Sequence, residues 1–132
     1  MHEAHRVIAP DSAYIATQRI KMRRLDDVAQ DLLPPHGGIF LKIDTQGYEK
    51  EVLRGATGLL SRIVAMQVEI SLIPLYDGAP TLAAMVEYIE TLGYEMFNLV
   101  PGFKDLNTGR VIQVDGLFVA RDRSNALISR KV

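Results

Sequence analysis

The sequence contains no cysteine among its 132 residues. This absence excludes disulfides, a thiolate nucleophile and a cysteine-ligated zinc site. No apolar run approaches the roughly 20 residues that span a bilayer. The N-terminal stretch MHEAHRVIAPD also lacks the apolar core of a signal peptide. We therefore expect a soluble, cytoplasmic protein without a membrane partner.

Runs of like charge are also missing, and the formal net charge is only -1. The basic residues Lys21, Arg23 and Arg24 are followed directly by Asp26 and Asp27. A nucleic-acid partner is therefore not expected. Apolar residues make up 48% of the chain and charged residues 23%, which is typical of a single globular domain. Residues 1–16 and 122–132 are expected to be peripheral.

Four apolar segments alternate with helical patterns. The predicted strands are GIFLKID, VAMQVEIS, YEMFNLV and VIQVDGLFVARD, and the predicted helices are LDDVAQDLL, YEKEVLRGATGLLSRI and LAAMVEYIETLGY. An imperfect alternation in TQRIKMRRL, residues 17–25, suggests a further exposed or edge strand. The order predicts an α/β fold with a mainly parallel sheet and a final antiparallel strand.

Local signals add detail to this outline. Asp26 is a plausible N-cap for the first helix. Gly55 and Gly58 weaken the second helix, and a close approach to the sheet would compensate for that cost. Asp115-Gly116 fits a hairpin turn locally, but the segment as a whole favours one strand with a bulge.

Polar side chains are placed where the predicted strands end. Asp44, Glu69 and Asn98 end the first, second and third strands. Ligands of open α/β sheets bind outside the carboxyl ends of the strands. A cap or turn contact is the alternative for Asp44 and the simpler interpretation for the other two.

Two sharper interpretations of Asp44 lack their partner motifs. DTQG fits the D-x-x-G of a GTPase, but no GxxxxGK[ST] phosphate loop occurs in the chain. A phosphatase nucleophile would usually be followed by a second acid at position 46, where Gln46 stands. No GxGxxG dinucleotide motif is present either.

The segment FLKIDTQGYEKEVLRGA, residues 40–56, closely resembles the signature of FkbM-type S-adenosylmethionine-dependent methyltransferases. That signature is a strand, K-I-D, a small residue, Q-G, an acid, and a helix with V-L-x-G-A. LDDV, VEISLIPLYDG, LGYEMFNL and QVDGLFVARD resemble further family segments, so the similarity covers about residues 20–121.

The resemblance implies a Rossmann-like methyltransferase fold, of which this chain would be the C-terminal half. The family's first half carries the glycine-rich loop and the acid that bind the methyl donor, and neither is found here. The chain is then either a truncated fragment or a shortened relative. Its alternative function is that of a non-catalytic remnant or binding module.

The resemblance also implies roles for individual residues. Asp44 and Glu69 are the candidate catalytic residues, and Gln46 and Gly47 are candidates for binding S-adenosylmethionine. Tyr48, Glu49 and Tyr76 are candidates for binding a small acceptor with a hydroxyl group. One or two carboxylates are too few ligands to indicate a metal.

The predicted first strand, Ile39 to Ile43, would pair in the complete family fold with a strand that this chain lacks. An unpaired apolar edge favours pairing with another copy. We therefore expect a homo-oligomer formed through this edge.

Overall fold

A computed structural model describes residues 15–123. Its helices and strands, in chain order, are α1 (Leu25–Leu32), β1 (Ile39–Ile43), α2 (Glu49–Arg54), a 3-10 turn (Thr57–Leu59), β2 (Ile63–Ser71), α3 (Leu82–Thr91), β3 (Tyr94–Pro101) and β4 (Gln113–Ala120). The four predicted strands are confirmed. The candidate peripheral segments fall largely outside the described residues.

The four strands form one sheet in the order β1-β2-β4-β3. β1 and β2 are parallel, whereas β4 is antiparallel to both β2 and β3. Three strands therefore run in one direction and the last strand runs against them. The predicted mixed α/β class with a final antiparallel strand is confirmed.

The main core lies where the sheet meets its helices. Side chains that are nearly or fully buried include Leu53, Met66, Val68, Met85, Ile89 and Phe118. α3 begins at its N-cap Thr81, whose Oγ1 accepts a hydrogen bond from Ala84 N at 3.3 Å. It ends before Gly93, which has a φ of 94°. The return into β3 therefore uses the conformational freedom of glycine.

The prediction of Asp26 as an N-cap is wrong. Arg24 holds the cap position of α1 without a side-chain cap, and Asp26 lies in the first turn. Asp26 Oδ1 instead accepts a hydrogen bond from Gly58 N at 3.0 Å. This carboxylate ties α1 to the 3-10 turn, a contact between residues 32 positions apart that local sequence does not reveal.

The long helix predicted after β1 is divided. α2 stops at its C-cap Gly55, and a 3-10 turn follows at Thr57–Leu59. A Cβ at Gly55 or Gly58 would contact Leu25 N or Asp26 rather than the sheet. At Gly58 the added Cβ would lie tightly, 3.3 Å from Asp26 Oδ1 of α1, whereas at Gly55 it would make only ordinary contacts, so an approach to the sheet explains neither glycine.

Three other local predictions need correction. Residues 17–24 form no strand and are exposed. Asn98 lies inside β3, which continues to Pro101. Asp115 and Gly116 belong to one continuous β4, which confirms the prediction of a single strand. The bulge predicted in that segment is not there, because the irregular register falls in β3 between Met96 and Asn98.

Candidate functional site

Asp44 and Glu69 lie side by side at the carboxyl ends of two neighbouring strands. β1 and β2 run parallel with Ile43 opposite Val68, so the next residue of each strand is a carboxylate. Glu69 precedes the last residue of β2 by two positions, and on its other side it pairs with Asp115 of β4. The expected meeting of the two carboxylates at this sheet edge is therefore found.

The side chain of Gln46 bridges the two carboxylates. Its Nε2 donates to Asp44 Oδ1 at 2.8 Å and to Glu69 Oε2 at 3.2 Å. Gln113 Nε2, from β4, donates to the same Glu69 oxygen at 2.6 Å. The hydroxyl of Tyr76 donates to Gln46 Oε1. We call these five residues the carboxylate cluster.

The turn that carries Gln46 has an unusual backbone. Gln46 has a φ of 56° and Gly47 a φ of 101°. Buried Glu49 holds the turn, because its Oε1 accepts from Thr45 N at 3.1 Å and from Gly47 N at 3.0 Å. Thr45 Oγ1 donates to the same atom at 3.3 Å. The carboxylate of Glu49 therefore serves to close the turn.

Tyr76 approaches the cluster from a second, smaller core. It is buried together with Leu75 and Ile112, which lie in the loops after β2 and before β4. A Cβ on Gly47 would lie 2.5 Å from Tyr76 Cβ, closer than side chains can approach. Glycine is therefore required at position 47 by both the backbone and the neighbouring ring.

The electrostatics of the cluster raise the pKa of Glu69. Burial is the largest cause, and the negative charges of Asp44, Asp115 and Glu49 add to it. Hydrogen bonds from the two glutamine amides favour the ionised form, but burial and repulsion outweigh them. Lys42 Nζ lies 3.2 Å from Asp44 Oδ2, an exposed ion pair that contributes little to stability.

A cleft of about 550 Å³ lies elsewhere, between residues 20–24, α1 and α2. Its lining, which we call the helix cleft, is Ile20, Lys21, Met22, Arg23, Arg24, Leu25, Val28, Tyr48, Glu51, Val52, Arg54 and Gly55. A second cleft of about 200 Å³ lies near Gly93 and Tyr94. Neither contains Asp44 or Glu69, so the expectation that Asp44 faces a cleft is not met by these two cavities.

The candidate residues thus divide between the two regions. Asp44, Gln46, Glu69 and Tyr76 meet in the carboxylate cluster, with Gly47 packed against it. Tyr48 is half exposed and lines the helix cleft.

Sequence reasoning missed Gln113, a buried side chain that contacts Glu69 across 44 positions. The resemblance of QVDGLFVARD to a family segment includes this residue but does not single it out.

Among residues 15–123, no group of three or more His, Cys, Asp or Glu side chains is arranged to hold a metal ion. In the same part of the chain, no helix combines the length and apolar character needed to cross a membrane.

The chain is an α/β protein with carboxylates at the ends of two adjacent parallel strands of its mixed sheet. Ligands of open α/β sheets bind at this edge. The chain belongs to the FkbM methyltransferase family, because the model of the methyltransferase FkbM domain matches residues 2–96. The match contains Asp44, Gln46, Glu69 and Tyr76 and ends before Gln113. No curated protein and no solved structure shows significant similarity to the chain.

Proposed function

We propose that this chain is an S-adenosylmethionine-dependent methyltransferase domain that methylates a hydroxyl group of a sugar or another small metabolite. One observation carries the proposal. Asp44 and Glu69 are bridged by Gln46 at the carboxyl edge of two parallel strands, inside the residues that match the family.

Methylation of a hydroxyl group requires a group that takes its proton. S-adenosylmethionine, when bound, supplies an electrophilic methyl group on a positively charged sulfur. Asp44 is exposed, and its Oδ2 accepts a hydrogen bond from Lys42 Nζ at 3.2 Å. In the proposed step this carboxylate takes the hydroxyl proton while the acceptor oxygen bonds to the methyl carbon and the bond from that carbon to the donor sulfur breaks. Glu69 lies deeper and orients the acceptor by accepting a second hydrogen bond.

The residues of this edge suit the acceptor better than the donor. The N–H groups of Thr45 and Gly47 already donate to Glu49, and the Gln46 amide is engaged by three side chains. They do not offer donors to the carboxylate end of S-adenosylmethionine. The two acids suit its positive charge, but the 132 residues contain no glycine-rich loop. We therefore expect weak donor binding by this chain alone.

Transfer of a labelled methyl group to a panel of sugars, at millimolar donor, tests the function. We expect slow transfer that falls about 100-fold or more in Asp44→Asn, the usual contribution of a positioned base. Asp27→Asn, on the exposed side of α1, is the matched control and retains full activity. Equal transfer by wild type and Asp44→Asn would overturn the proposal.

A non-catalytic binding module of the same fold is the competing function, and the absence of a GxGxxG motif from the 132 residues favours it. Sugar binding without any methyl transfer would favour that module. Calorimetry measures the donor separately. Micromolar binding of S-adenosylmethionine to the 132 residues would contradict the weak binding expected above.

We further propose that the chain self-associates through β1. Within the described residues, β1 pairs only with β2, and Phe40 on this edge strand is 56% exposed. An unpaired strand edge with apolar side chains favours pairing with a second copy. We expect dimers in light scattering that Phe40→Lys dissociates.

Phe97 provides the matched control, because it is 52% exposed on β3, the opposite edge strand. Phe97→Lys should leave the dimer intact. A monodisperse monomer at high concentration contradicts self-association, and dissociation by Phe97→Lys instead of Phe40→Lys contradicts the choice of edge.

A further inference from the structure

The amide of Gln46 uses its hydrogen-bonding groups within the protein. Its Nε2 donates to Asp44 and Glu69, and its Oε1 accepts from Tyr76. A side-chain amide has two N–H donors, so both are spent on the carboxylates. A bound ligand would have to displace one of these partners to gain a donor from Gln46.

The orientation of this amide follows from its partners. The hydroxyl of Tyr76 donates to the amide oxygen, which turns the NH₂ group toward the two carboxylates. A flipped amide would bring its oxygen against two acidic groups and lose three hydrogen bonds. Tyr76 itself is buried in the smaller core with Leu75 and Ile112, so its hydroxyl is held in place.

The backbone of Gln46 also adopts an unfavourable conformation in this arrangement. A φ of 56° costs a residue other than glycine roughly 1–2 kcal/mol. Residues in such conformations persist where surrounding contacts hold them, and they are frequent at functional sites. Here buried Glu49 holds the turn through the N–H groups of Thr45 and Gly47.

We propose that Gln46 is a positioning residue that holds Asp44 and Glu69 as a pair, and that it does not contact the methyl donor. Tyr76 fixes the orientation of the Gln46 amide. Gln113, which is only 5% exposed, holds Glu69 from the β4 side. The catalytic meaning of this inference rests on the proposed function, whereas the positioning itself does not.

Carbon-detected NMR titration of Glu69 in the 132-residue chain tests the positioning without any activity. Gln46→Asn is the sharpest variant, because asparagine tolerates a positive φ and its shorter side chain cannot span both carboxylates. Each N–H donor lost to a carboxylate removes a stabiliser of the ionised form, so the pKa of Glu69 should rise by about one pH unit in Gln46→Asn.

Two further variants and a control complete the titration. Gln113→Met should raise the pKa of Glu69 by at least as much as Gln46→Asn, since it removes the shorter hydrogen bond. Tyr76→Phe deletes only one hydroxyl, so it should raise that pKa less and shift the side-chain amide resonances of Gln46. Tyr48→Phe, in the helix cleft, should change neither the pKa of Glu69 nor the side-chain amide resonances of Gln46.

Steady-state kinetics distinguishes a positioning role from donor binding. We expect Gln46→Asn to lower kcat about 10- to 100-fold through misplacement of the acids, with the KM for S-adenosylmethionine unchanged. A raised donor KM at unchanged kcat would overturn the inference. So would a Glu69 titration that is the same in wild type, Gln46→Asn and Tyr76→Phe.

The two proposals fail in different ways. Shifts of the Glu69 titration without any methyl transfer would leave the positioning intact and remove the proposed function. Transfer that depends on Asp44, combined with an unchanged Glu69 titration, would keep the function and remove the positioning role. Tyr76→Phe keeps the buried ring, so it remains informative if a Gln46 variant does not fold.

Discussion

The carboxylate cluster and the helix cleft differ in what each brings together. The cluster joins side chains from the turn after β1, from β2, from the loop after β2 and from β4 by direct hydrogen bonds. The helix cleft encloses about 550 Å³ between apolar and basic side chains, and Glu51 is the one acid among the described residues that line it. Binding sites usually combine a concave apolar space with a few convergent polar groups. Here the described residues separate these two properties.

The two regions are nevertheless adjacent in the chain. Gln46 belongs to the cluster, and Tyr48, two positions later, lines the cleft and is the N-cap of α2. Between them stands Gly47, which packs against Tyr76. This turn is therefore the segment through which the two regions would be coupled.

The largest effect is expected at the glycine of the cluster. In Gly47→Ala, the φ of 101° costs about 1 kcal/mol and the overlap with Tyr76 about 1–3 kcal/mol. The free energy of unfolding should fall by about 2–4 kcal/mol in urea denaturation. Gly78→Ala has a φ of 76° with open space around the added Cβ, so it isolates the backbone cost.

The glycine of the helix cleft should respond in the opposite direction. Gly55 has a φ of -82°, and an added Cβ would make only ordinary contacts. Gly55→Ala should therefore preserve stability or raise it by up to about 1 kcal/mol. Equal losses at Gly47 and Gly55 would show that the two regions do not differ in packing as described.

A smaller effect concerns pH. The pKa of Glu69 is raised above its ordinary value of 4.5, so the folded chain binds this proton more tightly than the unfolded chain does. The resulting stabilisation is present below pH 4.5 and is lost as the pH rises through the folded pKa. Glu69→Gln should remove this fall in stability, as measured by urea denaturation at several pH values. An unchanged pH profile would contradict the raised pKa.

The smallest effect is expected at Tyr48. Its side chain is half exposed in the helix cleft and caps α2 only through its backbone. Tyr48→Ala should change the free energy of unfolding by no more than about 0.5 kcal/mol and leave the Glu69 titration as it is. A shift in that titration would show that the turn couples the cleft to the cluster.

Much of the fold was predictable because its signals are local. The apolar run before Asp44 indicates a buried strand, and the three-and-four spacing in LAAMVEYIETLGY indicates α3. The helix after β1 was predicted too long, since periodicity does not register the hydrogen bond from Gly58 to Asp26. That contact competes with helix continuation and comes from another part of the chain.

The candidate site was predictable only in part, for a related reason. The pairing of Asp44 with Glu69 follows from two parallel strands ending at one edge. The contact of Gln113 with Glu69 depends on β4 lying between β2 and β3, which no local pattern encodes. Tyr76 is a sequence-based candidate for binding the acceptor, while its hydroxyl contact to Gln46 depends on a loop conformation.

The amino-acid sequence by itself determined which segments become strands, which carboxylates follow them, and membership of a methyltransferase family, because each depends on short-range order of residues. Tertiary structure alone decided how the acids are held. The amide of Gln46 is oriented by Tyr76, whose loop packs against Gly47, and Glu69 is held from the other side by Gln113 of β4. Hydrogen bonds between distant segments depend on distances that the chain acquires only when its core forms.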